Sequence, residues 1–189
     1  LDKIAAGVFP HFEHDGEALL ERTLEGKNLF LTDSVDGLNG TGTVVITIGT
    51  PVDEFHNPVH KAIKECVDLL LPHMTDGQLI ILRSTVYPGT TDWLSRYLAA
   101  LGRSIEVAFC PERVVQGHSL KELREIPQII SGTSPEAVEE AKLFFNKISK
   151  HIVTMEPKEA EFAKLFCNAS RYIQFAATNE FYMIADAAG

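Results

Sequence analysis

Cysteine is scarce in this sequence. There are three in 189 residues, Cys66, Cys110 and Cys167, odd in number and far apart. That spacing argues against a disulfide framework and for a reducing compartment, so the cytoplasm is the expected location. No Cys-x-x-Cys or Cys/His pair has zinc spacing. His56 and His60, four apart near an expected helix start, read as a solvated pair, and no metal is expected. Basic charge is also short: 17 Lys and Arg against 26 Asp and Glu leave a formal charge of -9. Nucleic-acid binding needs a basic face and a polybasic membrane anchor needs clustered cations, so both partners are argued against. No apolar run approaches the ~20 residues that span a bilayer. The N-terminus has no basic stretch leading into an apolar run, hence no signal peptide is expected. Also missing is the usual opening of a dinucleotide fold, a strand, a G-x-G-x-x-G turn and a helix. Gly37-Leu-Asn-Gly40-Thr-Gly42 has the wrong spacing and precedes a strand, so it reads as a connecting loop.

What is present alternates short apolar runs with longer amphipathic ones. Thr43–Ile48, Leu79–Leu82, Ile105–Phe109, Gln128–Ile130 and Ile152–Thr154 read as buried strands, with Leu29–Thr32 a weaker candidate. Their β-branched content and short length favour strand over helix. Val59, Ile63, Cys66, Val67, Leu70 and Leu71 form a helical stripe that ends before Pro72. Trp93, Leu94, Tyr97, Leu98 and Leu101 form another, ending at Gly102, and Ser134-Pro135 opens a third with an N-cap and a proline in the first turn. Such alternation predicts an α/β fold, a mostly parallel sheet covered on both faces. From Lys158 to Ala188 there is neither Gly nor Pro, which predicts one helix of about 46 Å. That is more than a sheet-covering helix needs. The expected division is residues 1–156 for the α/β domain and 157–189 for the start of a second, helical domain.

Ligands of open parallel sheets bind beyond the carboxyl ends of the strands. There the chain carries Thr50-Pro51, then Arg83-Ser84-Thr85 running on to Thr91, then Cys110-Pro111-Glu112-Arg113. Hydroxyls suit sugar and phosphate oxygens, Arg113 suits an anionic group, and Glu112 suits proton transfer or the ordering of a water. Each also fits a turn or cap, with Thr90 or Thr91 suited to N-cap the next helix. On the long helix, Lys164, Asn168 and Arg171 fall within about 60° of one another, a stripe that suits either a polar substrate and its oxyanion or plain solvation.

Taken together, Thr50-Pro51, Ser84-Thr85-Val86, Cys110-Pro111-Glu112-Arg113 and Glu161-Phe-Ala-Lys164-Leu-Phe-Cys-Asn168 resemble the UDP-glucose/GDP-mannose dehydrogenases. Gly7-Val-Phe-Pro10-His-Phe-Glu13 resembles the loop after that family's second strand. The run from Cys110 to Gly132 is nearest to the UDP-N-acetylmannosamine dehydrogenase branch. The resemblance implies a Rossmann-like domain lacking its N-terminal strand and glycine turn, followed by a long helix that begins a central dimerisation domain. It implies NAD-dependent oxidation of a UDP-sugar C6 alcohol to a carboxylate in two steps, through a cysteine-bound thiohemiacetal and thioester. It implies NAD contacts from Thr50, Pro51, Ser84 and Thr85, with Thr85 also near the catalytic water. Glu112 would assist thioester hydrolysis, Lys164 would stabilise the oxyanion or act as acid/base, and Asn168 would support it. Arg113, Val114, Lys164, Asn168 and Arg171 would hold the nucleotide sugar. The expected assembly is a homodimer or higher oligomer through the C-terminal helix.

Departures from the pattern are specific. None of the three cysteines matches the family's nucleophile, which is expected beyond Gly189; Cys110 stands where the UDP-glucose branch has asparagine, and Gln116 where it has a second glutamate. The 189-residue chain is therefore expected to be inactive by itself. Two alternatives stay open at this level: another NAD dehydrogenase of the β-hydroxyacid type, and a catalytically incomplete nucleotide-binding or dimerisation module.

Overall fold

The computed structural model describes residues 1–49 and 60–189. Five strands form one sheet: β1 (Thr43–Ile46), β2 (Leu79–Leu82), β3 (Glu106–Phe109), β4 (Gln128–Gly132) and β5 (Ile152–Thr154), lying side by side in chain order. β1, β2 and β3 pair in parallel with Val44 opposite Ile80 and Ile80 opposite Val107. β4 runs antiparallel to β3, with Phe109 opposite Ser131, and β5 is parallel to β4. The sheet is thus mostly parallel, as its strand–helix alternation requires.

Alternate residues of each strand point to opposite faces, and both faces are buried over the central strands β2, β3 and β4. Ile80, Leu82, Val107 and Phe109 meet α3 (Lys61–Leu70) and α4 (Thr90–Ala100), through Ile63, Val67, Leu94 and Leu98. Leu79, Ile81, Ala108 and Ile130 face α6 (Pro135–Phe145), through Ala137, Ala141 and Phe145. Ser134 caps α6 by accepting a hydrogen bond from the Ala137 N–H at 2.9 Å. At Gly132 an added Cβ would lie 2.9 Å from both Ala137 Cβ and Val138 N, so only glycine lets α6 pack this closely on β4.

Four expectations are corrected. Ile152–Thr154 is a strand but not a buried one: as edge strand β5 it is half-buried at Ile152 and exposed at Val153 and Thr154. Leu29–Thr32 is not a strand: no described strand runs beside it to complete a hydrogen-bond ladder, and Phe30 is exposed. Neither Thr90 nor Thr91 caps α4. Gly89 occupies the N-cap at φ +94°, and both threonines lie inside the first turn, buried. His60 is only partly solvated: its ring stacks on Trp93 at 4.3 Å, with Nε2 3.2 Å from Thr90 Oγ1, and burial pulls its pKa down. His56 lies outside the described residues.

Before the sheet come α1 (Asp2–Ala5) and α2 (Gly16–Glu25), and α5 (Ser119–Glu125) joins β3 to β4. The last helix, α7 (Pro157–Ala188), has 32 residues and opens with a capping box between Glu156 and Glu159. Its first turns pack on β3, β4 and α4, and the rest projects away. Phe166, Ile173, Phe175, Phe181 and Ile184 are all more than 60% exposed there. No helix of the described residues is long and apolar enough to cross a membrane.

Candidate active site

Two loops leave the carboxyl ends of the adjacent parallel strands β2 and β3. Ser84 and Thr85 follow β2, and Cys110-Pro111-Glu112-Arg113 follow β3. Main-chain bonds carry the pairing past the strands: Cys110 N–H donates to Leu82 O at 3.0 Å and Glu112 N–H to Arg83 O at 3.2 Å. Thr85 and Glu112 therefore share one rim of the sheet. Thr50 and Pro51, expected on the loop after β1, lie outside the described residues.

The carboxyl group of Glu112 folds its own loop. Its Oε1 accepts from the N–H groups of Arg113 at 2.7 Å and Val114 at 3.0 Å, and its Oε2 pairs with Arg83. Arg113 in turn donates from its guanidinium to Pro127 O. A buried carboxyl braces the far side of the loop: Glu13, from the N-terminal segment, accepts from Gly117 N–H at 3.0 Å and Leu120 N–H at 3.2 Å. The Ser119 side chain and these N–H groups hold its pKa below the usual carboxylate value.

Helix α7 closes the site from above. Lys164 donates from Nζ to Glu112 O, and Arg171 from Nη2 to Arg113 O at 3.3 Å. Asn168 is half-buried on the same stripe, between neighbours that are exposed. The stripe is thus turned onto the Glu112 loop, away from open solvent. Burial pulls the Lys164 pKa down from 10.5, opposed by the charge of Glu112 and reinforced by Arg171 and Arg113. A lysine so placed loses its proton more readily than a solvated one, which suits proton transfer as well as oxyanion stabilisation.

The cysteines offer no nucleophile at this rim. Cys110 is fully buried and burial pushes its thiol up to about 12. Cys66 packs on α3 against the core, with its pKa also raised by burial, and Cys167 is exposed and points about 100° away from Asn168. Among the described residues, no group of three or more His, Cys, Asp and Glu could hold a metal ion.

Two residues of the site lie within the motifs quoted above yet receive no role from them. Glu161 is fully buried and accepts from Thr91 N–H at 2.8 Å, from Thr91 Oγ1 at 2.6 Å and from Gly89 N–H. The signal that would find it is the Lys164 stripe extended back one turn, where a carboxyl stands among apolar neighbours. Arg83 is the other, a single charge directly after the apolar run Leu79–Leu82. The α4 N-terminus, an anion site by its dipole and free N–H groups, is filled by Glu161. The hydroxyls of Ser84 and Thr85, half-buried on the rim, fit the hydrogen-bonding groups of a dinucleotide.

Residues 1–149 match the UDP-glucose/GDP-mannose dehydrogenase family, NAD binding domain. The UDP-N-acetyl-D-mannosamine dehydrogenase of Pyrococcus horikoshii is 32% identical over 191 residues, covering 98% of the chain and 46% of the relative. That of Methanococcus maripaludis is 38% identical over 176 residues, covering 90% of the chain and 40% of the relative. The solved structure of the UDP-D-ManNAc dehydrogenase from Pyrococcus horikoshii superposes with a TM-score of 0.87 at 31% identity, over 100% of this chain and 46% of that one. The chain spans about half the length of the curated relatives it matches.

Proposed function

Because the chain belongs to the UDP-glucose/GDP-mannose dehydrogenase family and carries its NAD-binding domain, we propose that it is part of an enzyme that oxidises the C6 alcohol of a UDP-sugar, UDP-N-acetylmannosamine, to a carboxylate in two NAD-dependent steps. The observation that carries this reading is the convergence of Lys164 and Arg171 of α7 on the main-chain oxygens of Glu112 and Arg113. It brings the loop that carries the Glu112 carboxyl against a cationic helix stripe at one rim. Membership of the family sets aside the wider β-hydroxyacid reading.

The proposed roles follow from position. Ser84 and Thr85, with Thr50 and Pro51, hold NAD, which when bound takes up the hydride from C6. Lys164 stands at the C6 oxygen and stabilises the negative charge that develops there, with Asn168 as its partner. Arg171, Arg113 and Val114 hold the nucleotide sugar. Glu112 orders a water for the last step. One proton passes to Glu112 as the water oxygen bonds to the acyl carbon; the carbon–sulfur bond then breaks, the thiolate leaves, and the new carboxylic acid loses its proton to solvent. The thiol comes from outside this chain, since none of its three cysteines presents one at the rim. The cytoplasm is the proposed location, on the scarcity and separation of the cysteines.

The test is the full-length protein with UDP-N-acetylmannosamine and NAD, where two NADH per sugar are expected. The isolated 189-residue chain is expected to form none. NADH production by the chain alone, or no turnover of any UDP-sugar by the full-length protein, overturns the reading.

Residues 1–156 are proposed as the NAD-binding domain and 157–189 as the start of a second one that assembles two copies. The exposed apolar side chains beyond Asn168 support this, because patches of that size mark interfaces. Sedimentation is expected to give a dimer or larger species. A monomer at high concentration speaks against assembly through α7.

A further inference from the structure

The most constrained group at the rim is a guanidinium for which the proposed chemistry has no direct use. The Arg83 side chain is only 11% exposed. Its Nη1 donates to Cys110 O at 3.1 Å and to Gln128 Oε1 at 3.2 Å, and its Nη2 pairs with Glu112 Oε2. The planar head lies 5.0 Å from the centre of the Phe145 ring. Gln128, on β4, is itself pinned, donating from Nε2 to Ile129 O at 2.7 Å. Arg83 is therefore fixed from four sides by elements of the sheet and by α6. A guanidinium needed only for packing could satisfy itself on main-chain carbonyls. This one directs a nitrogen at the carboxyl whose loop receives Lys164 and Arg171.

A carboxylate offers about four lone-pair positions. On Glu112, Oε1 takes two N–H donors and Oε2 takes Arg83. Among the described residues, that leaves room for one further donor, on Oε2, in a direction the other three contacts determine. We propose that Arg83 is a positioning residue that acts through Glu112, turning its carboxyl so that this remaining position holds the attacking water. The inference rests on the role proposed above for Glu112. This role requires no contact between Arg83 and substrate or cofactor. The fork geometry matters: one Nη holds Cys110 and Gln128 while the other holds Glu112, which a single ammonium cannot reproduce.

The test is a double-mutant cycle in the full-length protein, with kcat and KM for NAD and UDP-sugar measured separately. Arg83→Gln is expected to lower kcat about 10- to 30-fold with each KM within about twofold. Arg83→Lys recovers part of the loss, because an ammonium still reaches Glu112. The double variant Arg83→Gln/Glu112→Gln is expected to be no slower than Glu112→Gln alone, since a residue that acts only through Glu112 then has nothing to act on. If Arg83→Gln does not fold, the cycle runs with Arg83→Lys. A double variant slowed by the product of the two single losses overturns the inference, as does a normal kcat for Arg83→Gln beside a slow Glu112→Gln. Full turnover by Glu112→Gln overturns instead the role of Glu112, and the inference falls with it.

Discussion

Lys164→Ala in the full-length protein is expected to lower kcat by about 10²-fold or more, the loss seen when a donor to a developing oxyanion is removed. Stability is expected to change by only about 1 kcal/mol, because the ammonium is half-buried and gives up one hydrogen bond, to Glu112 O. Arg171→Ala is expected to act mainly on KM if it holds only the nucleotide sugar. The pH profile adds an independent mark. Burial lowers the Lys164 pKa from 10.5, so its ammonium deprotonates at a lower pH than a free lysine's. Oxyanion stabilisation needs the protonated form. Activity therefore falls on the alkaline side, with an inflection below 10.5, and Lys164→Ala abolishes that limb. Near-normal kcat for Lys164→Ala would reduce the stripe to a structural contact.

The largest stability effect is expected at Glu161. Its carboxyl takes the N–H groups of Gly89 and Thr91 and the Thr91 hydroxyl, all at the start of α4. Glu161→Ala leaves these donors buried without acceptors, at a cost of about 1–3 kcal/mol for each unmet group. Water entering the gap and local relaxation offset part of this, so a net loss of about 3 kcal/mol is expected. Glu161→Gln keeps the shape and one acceptor oxygen and loses less. Activity should suffer too, because α4 begins just after Ser84 and Thr85, and Glu161 lies one helical turn before Lys164. Urea denaturation reads the stability difference directly. A Glu161→Ala midpoint unchanged from wild type would mean that α4 needs no cap from α7.

These two residues show where sequence pattern stops being informative. Short β-branched runs identified five strands, most plainly β2, which is buried on both faces and apolar at every position. Ser134-Pro135 identified the start of α6, because that cap is completed by an N–H three residues away. Absence of Gly and Pro identified α7. The rim of Thr85 and Glu112 followed from the same logic, as loops after adjacent parallel strands lie together. Lys164, Asn168 and Arg171 shared a face by helical spacing alone, but spacing left open whether that face met solvent or protein.

What the sequence could not contain was decided by partners distant in the chain. Leu29–Thr32 has a strand's composition, yet composition does not supply a neighbouring ladder. The antiparallel step from β3 to β4 depends on how the intervening chain returns to the sheet. Glu161 reads as one more acid on a charged helix until α4 brings its N-terminus there, 70 residues away in sequence. Arg83 and Glu112 are 29 residues apart, and Lys164 and Glu112 52. Local propensity reflects the few residues that share one turn or one pleat. A buried charge is stable only where donors or counter-charges from other elements meet it, and the tertiary fold alone brings those elements together.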